Sequence, residues 1–392
     1  MEQTRVERLQ WIMDDAVKRG EIPGAVLLIR QEGQPDVYLE SGYADLEAKK
    51  PVQRDGIYRL YSMSKPITAV AVMLLVERGM LEMADPVSRY LGGFCGQMVA
   101  CADGRVEKPW REVLIQDLVS MTSGLVYDGN HAAGRQTEAW LGKVSEGFEQ
   151  QSEGMYSTID VANGLGQIPL AFQPGKEYCY GTSADVAGAV VEVVSGMRFG
   201  DFLKKELFEP LEMKDTDFWV PQEKQDRLAK VYECNEGKES VLYTGNHLGI
   251  KNAMDCRPAF ESGGAGLVST LDDYSHFAQM LLNGGTYKGK GIMRPSTVRF
   301  LTGHTLSRIQ QESFEERMEW LNGFSYGNFM RVMVDPSKSN TLGSLGEYGW
   351  DGWLGCYFAN APKEKMSILM MTQKKDSGTF RMTRQLRNVI YD

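Results

Sequence analysis

From Pro66 to Val76 the chain reads Pro-Ile-Thr-Ala-Val-Ala-Val-Met-Leu-Leu-Val, without a single charge, and Gly79 supplies a stop just beyond Arg78. The spacing predicts a helix over 66–78 with no polar stripe. A helix that is apolar around its whole circumference has to be enclosed by other elements. A chain of 392 residues, 42% hydrophobic and 24% charged, has enough material for that enclosure. It is long enough for two domains, or for one domain with a sub-domain inserted into it. No stretch of about 18 unbroken apolar residues occurs, so no membrane span is expected.

The elements that could enclose this helix come from both ends of the chain. Thr4 to Arg19 reads as a helix, with Thr4-Arg5-Val6-Glu7 as its capping box, an apolar stripe of Val6, Leu9, Ile12, Met13, Ala16 and Val17, and a stop at Gly20. After the Ile22-Pro23-Gly24 turn, Ala25 to Ile29 is a continuous apolar run, as in a buried strand. Val37 to Leu39 follows across the Gly33-Gln34-Pro35 turn, close enough to pair antiparallel. Residues 80–230 carry helix-like segments, such as Asp185 to Val194 and Phe202 to Leu207, but no strong strand signal. A helix near Asp272 to Leu282 follows the glycines from Gly263. Cys356 to Ala359 and Met366 to Thr372 read as a hairpin around Pro362-Lys363-Glu364, and Arg381 to Tyr391 reads as a last helix. The expected fold is therefore α+β, a mainly antiparallel sheet built from both termini and flanked by helices. Residues 1–79 and 235–392 would form the sheet-plus-helix domain, and 80–234 the inserted helical sub-domain.

A net charge of −9 and a pI near 5.2 argue against nucleic acid or an anionic membrane as partner. The polar start MEQTRVERLQ does not resemble a secretory signal, which points to the cytoplasm unless a leader was removed. The six cysteines form no Cys-x-x-Cys and have no histidine at ligand spacing, so reduced thiols are expected and neither a metal nor another cofactor is. Cys95 and Cys101 would pair only in an exported protein. Nothing in the sequence speaks to oligomeric state.

Ser62-Met63-Ser64-Lys65, at the mouth of the apolar helix, is the only Ser-x-x-Lys in the chain. Residues three apart share a helix face, so the Ser62 hydroxyl would lie beside the Lys65 amine and near the free N–H groups of the first turn. Serine needs a base to become a nucleophile, and a lysine serves as one near neutrality only when its pKa is pulled down from about 10.4. The plainer reading is a capping serine followed by a surface lysine. A Ser-His-Asp triad is poorly supported. Gly-x-Ser-x-Gly is absent, Gly181-Thr182-Ser183-Ala184-Asp185 being the nearest miss. None of His131, His247, His276 and His304 stands beside a nucleophile motif, and His276 reads as a helix-surface residue.

Several short motifs fall in a suggestive order: Ile22-Pro23-Gly24, Tyr61 to Thr68, Asp85-Pro86-Val87, Met121-Thr122-Ser123-Gly124-Leu125, Pro174-Gly175 and Gly263-Gly264-Ala265-Gly266-Leu267. Together they resemble the serine β-lactamase and penicillin-binding-protein superfamily, closest to class C β-lactamases and family VIII carboxylesterases. The resemblance spans nearly the whole chain and implies the β-lactamase/transpeptidase-like fold. It also implies roles: Ser62 as the acylated nucleophile, Lys65 as its proton-transfer partner, and Tyr180 as a general base whose phenolate Lys65 stabilises. The third motif corresponds to Trp350-Asp351-Gly352, and the backbone N–H groups of Ser62 and Trp353 would form the oxyanion hole. Thr182, Trp350, Asp351, Gly352 and Tyr127 would contact substrate, with the loops near Tyr127 and Glu239 to Arg257 as pocket walls.

Two departures from the family pattern shape the expected activity. Thr182 stands where an amide-binding asparagine is usual, and Asp351 would repel anionic β-lactams or greet a substrate amine. The expected function is an acyl-enzyme carboxylesterase acting on small neutral or cationic esters, with weak or no β-lactamase activity. The alternatives are a β-lactamase, a D-stereospecific peptidase or amidase, an acyltransferase on the same serine, or a silent penicillin-binding-like protein. In each case the partner is a small-molecule ester or amide.

Overall fold

The computed structural model describes residues 1–235, 239–377 and 381–392. Eight strands of one antiparallel sheet come from the two ends of the chain. They are β1 (Gly24–Gln31), β2 (Val37–Asp45), β3 (Lys50–Pro51), β4 (Phe324–Gly327), β5 (Met330–Met333), β6 (Tyr348–Asp351), β7 (Tyr357–Ala361) and β8 (Met366–Thr372). Their order is β4-β5-β6-β7-β8-β1-β2-β3. The run Ala25 to Ile29 is continuously apolar because β1 lies inside the sheet, with Ala25 opposite Ser41 of β2 and Thr372 of β8. Alternate residues of β1 serve two cores. Ala25, Leu27 and Ile29 pack under helices α1 (Gln3–Lys18) and α5 (Arg381–Ile390), together with Leu9, Met13 and Leu386. Val26 and Leu28 face the larger core on the other side.

That larger core encloses α2 (Ser64–Glu77), in which Ser64 through Leu75 are all buried, as its lack of a polar stripe requires. Helices α3 (Ser183–Ser195) and α4 (Leu271–Leu282) contribute to the same core. Between residues 80 and 234 most of the regular structure is helical, with helices Ile115–Val119, Ala132–Gln150 and Thr158–Gly166 ahead of α3. It also holds a strand pair too short to leave a sequence signal, Val99–Ala100 with Val106–Glu107.

Several expected details differ. The Thr4 capping box does not form, because the first helix starts earlier, with Glu2 at its N-cap and no side-chain cap. Glu7 instead accepts from Gln3 Nε2. β2 runs on to Asp45, well past Leu39. The segment expected as a helix over Phe202 to Leu207 is Phe199–Leu203 followed by a wider helical turn, Lys204–Phe208. His276 is half-buried against the Tyr287 ring rather than exposed on its helix. No helix among the described residues is long and apolar enough to cross a membrane.

Candidate active site

Ser62 is held in a short 3₁₀ turn, Tyr61–Met63, just ahead of α2 rather than in its first helical turn. Tyr61 enters that turn at φ 45°, a left-handed conformation that costs energy for a bulky side chain. Neighbours fix the strained turn from two sides. The Leu60 and Leu267 backbones are joined, the Leu267 N–H reaches Ser64 Oγ at 3.1 Å, and Tyr274 Oη donates to Met63 O at 2.9 Å. Gly352 shows why that position carries no side chain. A Cβ there would sit 2.2 Å from Leu60 O, so the glycine lets the backbone ahead of Ser62 approach closely.

Lys65, in the first turn of α2, is completely buried. Its Nζ lies 3.1 Å from Ser62 Oγ, 3.0 Å from Tyr127 Oη and 2.8 Å from Gly264 O. Burial lowers the pKa of this amine from its ordinary 10.5 to about 7, while the charge of Asp185 acts in the opposite sense. The Tyr180 ring lies 4.6 Å from the same amine, its Oη accepts from the Trp350 indole at 2.9 Å, and it hydrogen-bonds with Ser62. Burial raises the Tyr180 pKa above its ordinary value despite the lowering effect of the bonds to Ser62 and Trp350. Burial therefore pushes the two groups in opposite senses, the phenol toward keeping its proton and the amine toward losing its own.

Ser62, Tyr180, Trp350, Asp351, Gly352 and Trp353 line one cavity of about 490 Å³. Its far wall is Met318, Trp320 and Leu321, not the loop Glu239 to Arg257 expected from sequence. From that loop, His247 stacks on the Trp353 ring with centroids 4.2 Å apart. Tyr127 meets Lys65 rather than the cavity. Thr182 does not face it either, being fully buried at the start of α3 with Oγ1 unpartnered among the described residues. Asp351 is not a bare carboxylate, since its Oδ1 lies 2.5 Å from Nη1 of the buried Arg331. A larger cavity, about 900 Å³ beside Trp140 and Tyr156, is lined by no serine or cysteine among the described residues.

Besides Asp376 of the lining, two charged residues behind the site escaped the sequence reading. Asp185, on α3, accepts from Ser262 Oγ and, at 3.0 Å, from the Gly264 N–H. It thereby shapes the turn that presents Gly264 O to Lys65. Arg331 sits on β5, one strand away from Asp351. No short motif announces either residue, because each acts across the fold.

Known proteins resemble the chain along nearly its whole length. The sequence profile of the β-lactamase family matches residues 9–391. An uncharacterized protein of Mycobacterium tuberculosis is 31% identical over 364 residues, covering 90% of this chain and 86% of the relative. Esterase EstB of Burkholderia gladioli is 28% identical over 396 residues, covering 98% and 94%. The solved structure of EstCE1, a hydrolase with promiscuous acyltransferase activity, superposes with a TM-score of 0.81 at 27% identity, covering 100% of this chain and 99% of its own. With a β-lactamase/transpeptidase-like fold and a profile match along nearly its full length, the chain belongs to the β-lactamase family.

Proposed function

We propose that this protein is a serine hydrolase that becomes acylated on Ser62, a carboxylesterase for small esters with an apolar acyl group, turning over β-lactams slowly or not at all. The observation that carries the reading is a buried amine, with a pKa of about 7, lying 3.1 Å from a serine hydroxyl at the edge of a cavity. A neutral Lys65 takes the Ser62 proton as Oγ bonds to the ester carbonyl carbon. The developing oxyanion is met by the backbone N–H groups of Ser62 and Trp353. The Trp353 N–H meets no acceptor among the described residues, which leaves it available for this role. As the C–O bond to the alcohol breaks, Tyr180 gives its proton to the leaving oxygen and is reprotonated from Lys65. Water then attacks the acyl-enzyme, gives its proton back through the same pair, and releases the acid and free Ser62.

Tryptophan and aliphatic walls favour an apolar acyl group, and among the described residues no Lys or Arg lines the cavity to hold a β-lactam carboxylate. Similarity to esterase EstB supports an esterase, and similarity to EstCE1, a hydrolase with promiscuous acyltransferase activity, supports a hydrolase. A second reading, acyl transfer to an alcohol, draws on Trp320 and Leu321, an apolar wall that suits an organic acceptor better than water. Burst kinetics with p-nitrophenyl butyrate and a chromogenic cephalosporin test the proposal. The ester should show a burst that Ser62→Ala abolishes, together with fluorophosphonate labelling of the Ser62 peptide. Fast cephalosporin turnover beside a silent ester would reject it.

A further inference from the structure

Behind the cavity wall lies a cation that the cavity does not show. Asp351 reaches the cavity with 15% of its side chain exposed, while its partner Arg331 is 2% exposed. Asp376, the other carboxylate of the lining, accepts from the Trp353 indole at 2.6 Å. Asp351 does not hold Arg331 alone. Arg331 Nη2 donates to Phe358 O at 3.3 Å, and the guanidinium lies 4.8 Å from the Tyr357 ring centroid and 5.8 Å from that of Phe324. An arginine keeps its proton in such surroundings. Removing the Asp351 charge therefore leaves a fixed positive charge one contact behind the cavity wall.

We propose that Arg331 is a specificity-determining residue: a latent carboxylate-recognition group, masked by Asp351, that makes this side of the acyl pocket electrically neutral and so selects uncharged acyl groups. The proposal deepens the esterase reading and, in its kinetic form, rests on it. The pair joins an acidic and a basic side chain, so each single substitution changes the field at the cavity wall with a predictable sign. Unmasked Arg331 attracts an acyl carboxylate, and unmasked Asp351 repels it and attracts an acyl ammonium. A unit charge acting across roughly 6–12 Å at an effective dielectric of about 20 changes relative rates roughly tenfold to hundredfold.

The test compares kcat/KM for p-nitrophenyl butyrate, its glutarate monoester analogue and its 4-trimethylammoniobutyrate analogue. Asp351→Asn should raise the glutarate-to-butyrate ratio at least tenfold. Arg331→Met should lower that ratio and raise the trimethylammonium one. The double variant should return both ratios to within about threefold of the parent, which simple structural damage would not do. Unchanged ratios in a cooperatively melting Asp351→Asn protein, or both single variants moving the glutarate ratio in the same direction, would overturn the proposal. If Asp351→Asn does not fold, the opposite shift in Arg331→Met and its cancellation in the double variant decide the question. Calorimetric binding of the same three esters to the Ser62→Ala background, with and without each substitution, reads the charge preference without turnover. An enzyme that hydrolyses none of the esters yet shows the charge-dependent binding would refute the esterase reading and retain this one.

Discussion

Lys65→Met keeps the length of the side chain and removes its amine. Holding that amine at about 7 instead of 10.5 costs the folded protein about 5 kcal/mol at pH 7 and below, at about 1.4 kcal/mol per pH unit. The substitution also forfeits the contacts with Ser62 Oγ, Tyr127 Oη and Gly264 O, together worth about 3 kcal/mol at about 1 each. The variant should therefore be as stable as the parent, or more stable by up to about 2 kcal/mol, while acylation falls about 10³-fold with its base gone. The sign follows from the direction of the shift. A base whose folded pKa is depressed burdens the fold as pH falls from 10.5 toward 7 and not above that range. At pH 10 the burden shrinks to about 1 kcal/mol, so the variant should be the less stable protein there. Urea unfolding at both pH values and stopped-flow bursts with p-nitrophenyl butyrate supply the data. A loss of more than about 3 kcal/mol at pH 7, or a surviving burst, would refute the claim that a largely neutral Lys65 activates Ser62.

Three further outcomes are expected. The ester kcat/KM should rise with pH through about 7 and then level off, because the Lys65 amine must lose its proton to act; a profile flat from pH 5.5 to 8.5 would contradict this. Asp185→Asn removes the charge that favours protonated Lys65, so the acid limb should move to lower pH, and an unmoved limb would dismiss the coupling. Gly352→Ala forces a Cβ against Leu60 O, which should cost roughly 1–3 kcal/mol by denaturant unfolding and slow fluorophosphonate labelling of Ser62 at least tenfold.

What could be read from sequence was what a local pattern can carry. The buried α2, the apolar β1 and the hairpin of β7 and β8 each declare themselves within about a dozen residues, and Ser62 and Lys65 stand three apart on one turn. The Asp351–Arg331 pair could not be read, because it depends on β5 and β6 pairing with Arg331 opposite Gly349. Thr182 has the chain position of a substrate contact, yet it is buried away from the cavity. The opposite shifts of Lys65 and Tyr180 have the same origin: sequence names the two groups, but burial sets the direction in which each is pushed.

The place of β1 inside the sheet matters while the protein is being made. One flank of Ala25 to Ile29 pairs with β2 almost at once, but the other waits for Ile368 to Thr372. At about 5–20 residues per second, a ribosome needs between roughly 17 and 70 s to deliver that partner. Until then the nascent chain carries an open apolar edge of the kind that invites intermolecular pairing, and a chaperone bound during elongation would have this strand to guard.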